Sequence, residues 1–333
     1  MLFGSLMTEK QSFELLDKYF LLGGRAIDTA QMYPVPCKEE TLGLSEKIIG
    51  KWIQKKGDHK NLFISSKIAG KSHRLPFLNR TNQIYTEEHL SKEINNNLNR
   101  LNVSYIDVFY LHWPKRNTHN FRAGVYTNPV DLYNRNVLED LDSDIENLMR
   151  LVNKGYVKSI GLSNETPFGI NRLLEIRKRK NYKFDLYVQN PYNLICPTYA
   201  ITLQELCFYN NIKLQAHSPL AFGELSNDNI NNRIDLSSRK YLYKEYFTRY
   251  QGSRTEDFLK DLNIICKRKS CSIIDLAYGF ILNDPTVSHV VLGSRTINQL
   301  TESLDSIKNF QYIKDNILND LYKLMEKYLI VSS

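Results

Sequence analysis

Scarcity is informative in this chain. Among 333 residues only five are cysteine and two are tryptophan. The cysteines, Cys37, Cys196, Cys207, Cys266 and Cys271, form no C-x-x-C pair and no zinc spacing, so no metal site is expected. An odd, scattered set in a long chain fits reduced thiols in a reducing compartment. Long apolar runs are missing too, and mean hydropathy is -0.41, which argues against a membrane span. Met1 to Met7 is apolar but too short for a signal-peptide core, and acidic Glu9 follows. A cytoplasmic protein without membrane attachment is therefore expected. No linker, repeat array or low-complexity tract divides the chain, so residues 1–333 read as one domain. There is no G-x-G-x-x-G turn, which weighs against a doubly wound dinucleotide-binding sheet.

Charge is the one composition signal in excess, at a net +8. The basic clusters Arg177-Lys178-Arg179-Lys180 and Lys267-Arg268-Lys269 fall at the ends of expected helices. There they suit the helix dipole and face water, so no nucleic-acid partner is expected.

What is present is a steady alternation. Helical spacing over 8–22 stops at Gly23-Gly24, and further helices are expected over 39–55, from Thr86 to Leu101, and over 140–154, 166–179, 198–209, 255–268, 272–283, 297–307 and 313–328. Between them lie short apolar strands at 26–29, 62–67, 105–111, 157–162, 185–189, 212–217 and 287–292. Strands with apolar interiors, each followed by a helix, indicate a parallel sheet covered by helices. The number of units and the missing glycine turn favour a (β/α)8 TIM barrel over an open sheet. The regions 113–137 and 219–253 read as long loops able to shape a substrate pocket. Arg116, His119, Phe121, Arg122 and Tyr126 are candidate lining residues.

In this register polar residues gather at C-terminal strand ends, where barrels carry their chemistry. They include Asp28 and Tyr33, Ser65 to Lys67, His112, Ser163 and Asn164, Gln189 and Asn190, His217 and Ser218, and Gly293 to Arg295. Asp28 closes an apolar strand, which is costly without a partner. Tyr33 follows just beyond, and Cys37 lies close behind it, where an inert loop thiol is the plainer reading. Taken singly, each polar residue also has a structural explanation: an ion pair for Lys67 and Asp28, a satisfied core histidine for His112, a loop aromatic for Tyr33.

Together the segments Ile27-Asp28-Thr29-Ala30-Gln31-Met32-Tyr33-Pro34-Val35-Pro36, Ser65-Ser66-Lys67, Val108-Phe109-Tyr110-Leu111-His112-Trp113-Pro114, Ile160-Gly161-Leu162-Ser163-Asn164-Glu165-Thr166, Gln189-Asn190-Pro191-Tyr192 and Phe247-Thr248-Arg249-Tyr250 resemble the aldo-keto reductase superfamily, and within it the Tas-like branch. The resemblance implies reduction of an aldehyde or ketone by direct hydride transfer from NADPH. It assigns the catalytic tetrad to Tyr33, Lys67, Asp28 and His112. A free phenol is a poor acid at neutral pH, and a neighbouring ammonium corrects that. Tyr33 is then the general acid, Lys67 the group that lowers its pKa, Asp28 the anchor of Lys67, and His112 a hydrogen-bond donor to the substrate oxygen. The same resemblance gives Ser163, Asn164 and Gln189 to the nicotinamide carboxamide. It gives Ser218, Leu220 and Gly223 to the pyrophosphate, with His217 against the nicotinamide ring, and Gly293, Ser294, Arg295 and Gln299 to the adenosine phosphate. The expected partner is a small carbonyl substrate, and the oligomeric state is left open.

The chain departs from the family pattern at four places. His217 stands where Tyr or Trp is usual. Glu302-Ser303 replaces a motif that often ends in Asn, and Asn227-Asp228 follows Gly223 where Gly-Lys is common in the branch. The family also opens with a floor hairpin and a first strand, whereas this chain begins almost at the first helix. The expectation is a truncated barrel in which Met1 to Gly4 is the tail of that strand. The alternatives to an enzyme are a cofactor-binding regulatory protein resembling potassium-channel β subunits, and an inactive truncated barrel.

Overall fold

The computed structural model describes residues 1–329 except 58, 71, 73–74, 79–84, 117, 119–136, 231–235, 237–238, 244–249 and 311–312. Two compact units are present, Met1–Gln189 with Asn211–Lys213, and Asn190–Asn210 with Leu214–Ser333.

In the first unit the order is α1 (Glu9–Leu21), β1 (Ala26–Asp28), α2 (Leu44–Lys56), β2 (Phe63–Ile68), α3 (Glu87–Leu101), β3 (Ile106–Leu111), α4 (Val137–Asn153), β4 (Val157–Ser163), α5 (Pro167–Arg179) and β5 (Leu186–Gln189). Each strand pairs in parallel with the next. The registers set Asp28 beside Ser65, Lys67 beside Tyr110, Leu111 beside Leu162, and Ser163 beside Gln189. Parallel strands in chain order bring all their C-terminal ends to one edge. Every residue of β3 is buried, as expected of a strand covered on both faces.

Helix starts follow their capping residues. The Thr8 hydroxyl accepts from Gln11 N–H in a capping box, and Thr86 accepts from His89 N–H. The helix expected over 39–55 is interrupted at its beginning. A 3-10 turn over Glu39–Thr41 is separated from α2 by Gly43, whose φ of 70° lies in the left-handed region. Helices α2 and α3 approach closely at Gly50, where an added Cβ would lie 2.1 Å from the Arg100 carbonyl oxygen.

Met1 to Gly4 is not the tail of a strand. It folds back in a tight turn, with Gly4 N–H donating to Met7 O and a single bridge between Phe3 and Met7. The turn is fixed to the segment after β1: Val35 N–H donates to Met1 O, and the Ser45 hydroxyl donates to Phe3 O. Backbone polar groups that a strand would pair are thus satisfied locally.

In the second unit, β6 (Lys213–Ala216, its first residue counted with the first unit) and β7 (Val287–Val290) pair in parallel, Leu214 with Val287 and Ala216 with Val290. The helices of five residues or more are α6 (Thr198–Thr202), α7 (Gln204–Tyr209), α8 (Ser253–Lys269), α9 (Ile273–Leu282), α10 (Ile297–Phe310) and α11 (Asp315–Leu329). The helix expected over 198–209 breaks at Leu203, whose φ of -123° takes it out of helical geometry. Helix α9 is almost wholly buried, from Ile273 to Ile281. All seven expected strands are present, each followed by helix. Among the described residues no helix is long and apolar enough to cross a membrane.

Candidate active site

Asp28 ends β1 with its carboxylate among donors. The Lys67 ammonium approaches Oδ2 at 2.6 Å and also donates to Thr29 O at 2.7 Å. The Ser65 hydroxyl donates to Oδ1 at 2.6 Å, and the Gln189 amide donates to the same oxygen at 2.8 Å. Ser65 and Lys67 are two apart on β2 and so project from the same face of the strand. Lys67 is fully buried, while Asp28 keeps 13% of its side chain exposed. Burial pulls the Lys67 ammonium below its ordinary pKa, and the carboxylates of Asp28 and Glu46 oppose that pull.

Tyr33 and His112 complete a chain of contacts. Lys67 Nζ lies 5.4 Å from the centroid of the Tyr33 ring. The Tyr33 and His112 rings meet edge to face, with centroids 5.7 Å apart and planes at 77°. His112 follows β3 directly and packs also on Trp113. Tyr33 is buried in an apolar cluster with Ala30, Met32, Val35, Ala69, Leu75 and Trp113, which fixes its ring near the strand ends.

Ser163, Asn164 and Gln189 adjoin this cluster. The Ser163 hydroxyl donates to Gln189 O, and the Asn164 amide donates to His112 O at 3.0 Å and to Ser163 Oγ at 3.2 Å. Asn164 sits at φ 56°, a left-handed position that asparagine tolerates. Seven of the residues singled out from the sequence therefore come together in the first unit: Asp28, Tyr33, Lys67, His112, Ser163, Asn164 and Gln189.

The remaining candidates belong to the second unit. His217 N–H donates to Asn190 O, and its Nδ1 is 2.9 Å from the Ser218 hydroxyl. Ser218 to Gly223 form a tight turn in which Gly223 N–H donates to Leu220 O. That amide is engaged within its own turn. Gly293 and Ser294 precede α10. The Gln299 side chain accepts from Arg295 N–H, and Gln299 N–H donates to Thr296 Oγ1, a local cap of that helix. Two of the departures from the family pattern meet: Asn227 Nδ2 donates to Glu302 Oε1 at 2.9 Å.

Of the loop residues proposed to line a pocket, His119, Phe121, Arg122 and Tyr126 lie outside the described residues, as do Phe247, Thr248 and Arg249. Arg116 is described. Its guanidinium forms a two-pronged pair with buried Glu165 and reaches Thr166 Oγ1, which gives it a structural task. Cys37 packs on the cluster around Tyr33, and burial pushes its thiol up to about 11. At neutral pH such a thiol is inert.

The sequence reading missed a second buried cluster behind β2. Ser66 faces away from Lys67 and donates to Glu46 on α2; Asn97 and Arg100 on α3 bind the same carboxylate. Glu46 is fully buried, and desolvation raises its pKa although Arg100 lies 2.7 Å away. Strand alternation was the available signal, since neighbouring serines on β2 must face opposite ways.

Known proteins resemble this chain over most of its length. The family model described as "Aldo/keto reductase family" matches residues 1–319. Protein tas of Escherichia coli is 31% identical over 307 residues, covering 92% of this chain and 87% of the relative. Protein tas of Shigella flexneri matches equally. An aldo-keto reductase of Babesia bovis is 30% identical over 250 residues, covering 72% of this chain and 87% of its own length. With the family model matched from the first residue to the last helix, and the strand-end cluster in place, the chain belongs to the aldo/keto reductase family.

Proposed function

We propose that this protein is an NADP-dependent reductase of aldehydes and ketones. The observation that carries the reading is the line of contacts from Asp28 through Lys67 and Tyr33 to His112 at the strand ends of the first unit. The same reading takes residues 1–333 as one reductase domain of the (β/α)8 barrel class.

NADPH, when bound, supplies the hydride. Tyr33 gives its phenolic proton to the carbonyl oxygen. Lys67 stabilises the phenolate that remains, because an ammonium nearby favours the charged form. Asp28 holds that ammonium in place, and Ser65 and Gln189 in turn hold the carboxylate. His112 donates a hydrogen bond to the same carbonyl oxygen and fixes its direction.

The residues present fit the cofactor at its nicotinamide end. A carboxamide needs both donors and acceptors, and the Ser163 hydroxyl with the Asn164 and Gln189 amides offers both. His217 is assigned to the ring by resemblance. At the phosphate end, Ser218, Leu220 and Gly223 take the pyrophosphate, and Gly293, Ser294, Arg295 and Gln299 the adenosine phosphate. There the Arg295 guanidinium ahead of α10 suits a 2′-phosphate.

The test is NADPH oxidation against a panel of aromatic and short-chain aldehydes. Aldehyde-dependent oxidation supports the reading. Absence of turnover across the panel, from a protein that still binds NADPH, sinks it.

A further inference from the structure

The second unit carries a side-chain pair that the reductase reading does not use. The last turn of helix α8 and the two residues after it read Cys266-Lys267-Arg268-Lys269-Ser270-Cys271. Ser270 turns into the left-handed region at φ 53°, its N–H donates to Lys267 O, and Cys271 N–H donates back to Cys266 O at 3.1 Å. This is the Schellman arrangement, in which the residue beyond the helix bonds to the carbonyl five positions earlier. The motif regularly brings the side chains of those two positions into contact, usually as an apolar pair. Here both positions are cysteine, so the motif sets the two side chains beside one another at the end of the helix.

The surroundings hold that geometry. Arg268 and Lys269 both pair with Asp320 of α11, at 2.8 and 3.0 Å. Immediately after Cys271, Ser272 caps α9 through a capping box with Asp275, and Asp275 accepts from the Ser306 hydroxyl of α10. The backbone on both sides of the pair is therefore fixed. Cys266 is 6% exposed, whereas Cys271 is partly open to solvent.

We propose that Cys266 and Cys271 form a redox-active pair, a dithiol that a small disulfide such as oxidised glutathione converts reversibly into an intrachain disulfide. Cys271 attacks first. It is the accessible thiol, and the hydrogen bond from Cys266 together with the Lys269 ammonium draws its pKa down, so its thiolate is favoured. The Cys271 thiolate attacks one sulfur of the small disulfide and expels a thiolate, leaving a mixed disulfide. Cys266 then attacks the Cys271 sulfur and expels the second thiolate. The two protons lost by the cysteines pass to the two leaving thiolates. The protein pair is oxidised by two electrons, and one small disulfide is reduced to two thiols. The remaining cysteines have no such neighbour in sequence, and Cys207 is buried, with its thiol raised to about 11.

The test uses the intact chain equilibrated in glutathione buffers of graded oxidation, quenched by alkylation and digested without reduction. Trypsin cuts at Lys267, Arg268 and Lys269, between the two cysteines. The expected result is a cross-linked pair of peptides carrying Cys266 and Cys271. Its fraction should rise with the oxidised share of the buffer and return to zero on reduction. In Cys266→Ser, Cys271 should instead retain glutathione as a stable mixed disulfide, at least tenfold more than Cys37 or Cys196 in the same sample. Full alkylation of both cysteines at every buffer composition overturns the proposal. So does glutathione retained on Cys271 no more than on the other cysteines.

Discussion

At the residue scale, the centre of the account is a buried cation. Lys67 has two short acceptors, Asp28 Oδ2 and Thr29 O. Removing one member of such a pair costs about 3–5 kcal/mol, because the other is left buried without compensation. Asp28→Asn should therefore lower unfolding free energy by about 3 kcal/mol or more near neutral pH, measured by urea denaturation. Lys67→Met should cost less, since Asp28 keeps Ser65 and Gln189 as donors. The pH dependence follows from the direction of the Lys67 shift. Its folded pKa lies below its ordinary value of 10.5, so between the two the unfolded chain binds more protons. Stability carried by this group should rise with pH across that window and level off above it. Lys67→Met should flatten that rise, and an unchanged alkaline limb would contradict it.

At the element scale, β2 is clamped between two polar clusters, one on each face. The inner face carries Ser65 and Lys67, and the outer face carries Ser66, bonded to Glu46 of α2. Arg100 of α3 closes the outer cluster, so three elements depend on one buried carboxylate. Arg100→Met should destabilise by about 3–5 kcal/mol at pH 7, by leaving that carboxylate unpaired. Burial already raises the Glu46 pKa above 4.5, so the folded variant takes up a proton first as pH falls. Its deficit should shrink toward pH 5, and equal deficits at both pH values would contradict this. The close approach of α2 and α3 gives a second prediction. Gly50→Ala places a Cβ against the Arg100 carbonyl and should cost about 1–3 kcal/mol, read as a lowered denaturation midpoint.

The strands and the inner cluster were legible in the sequence, and the outer cluster was not. Apolar runs such as Ile106 to Leu111 announce buried strands, and polar residues just past them mark the chemical edge. Glu46, Asn97 and Arg100 lie in amphipathic helices, where charged residues ordinarily face water. Only the three-dimensional packing shows them turned inward. Helix breaks at Gly43 and Leu203 were hidden for a related reason, since the apolar period continues across both. Met1 to Gly4, expected as the tail of a strand, instead opens a turn closed by the bridge between Phe3 and Met7.

At the scale of the whole molecule, cofactor binding and chemistry should separate. A ligand that binds only the folded chain stabilises it by about 2.7 kcal/mol when present at a hundred times its dissociation constant. NADPH should raise the melting temperature more than NADH does, and Arg295→Ala should remove most of the difference. Equal shifts from the two cofactors in the wild-type protein would count against a 2′-phosphate role for Arg295. The most direct test of the central claim is aldehyde-dependent NADPH oxidation by Tyr33→Phe beside the wild type, with NADPH binding followed in parallel. The account predicts that turnover falls by about 10²–10⁴-fold while NADPH binding is retained. Equal turnover in the two proteins would contradict it.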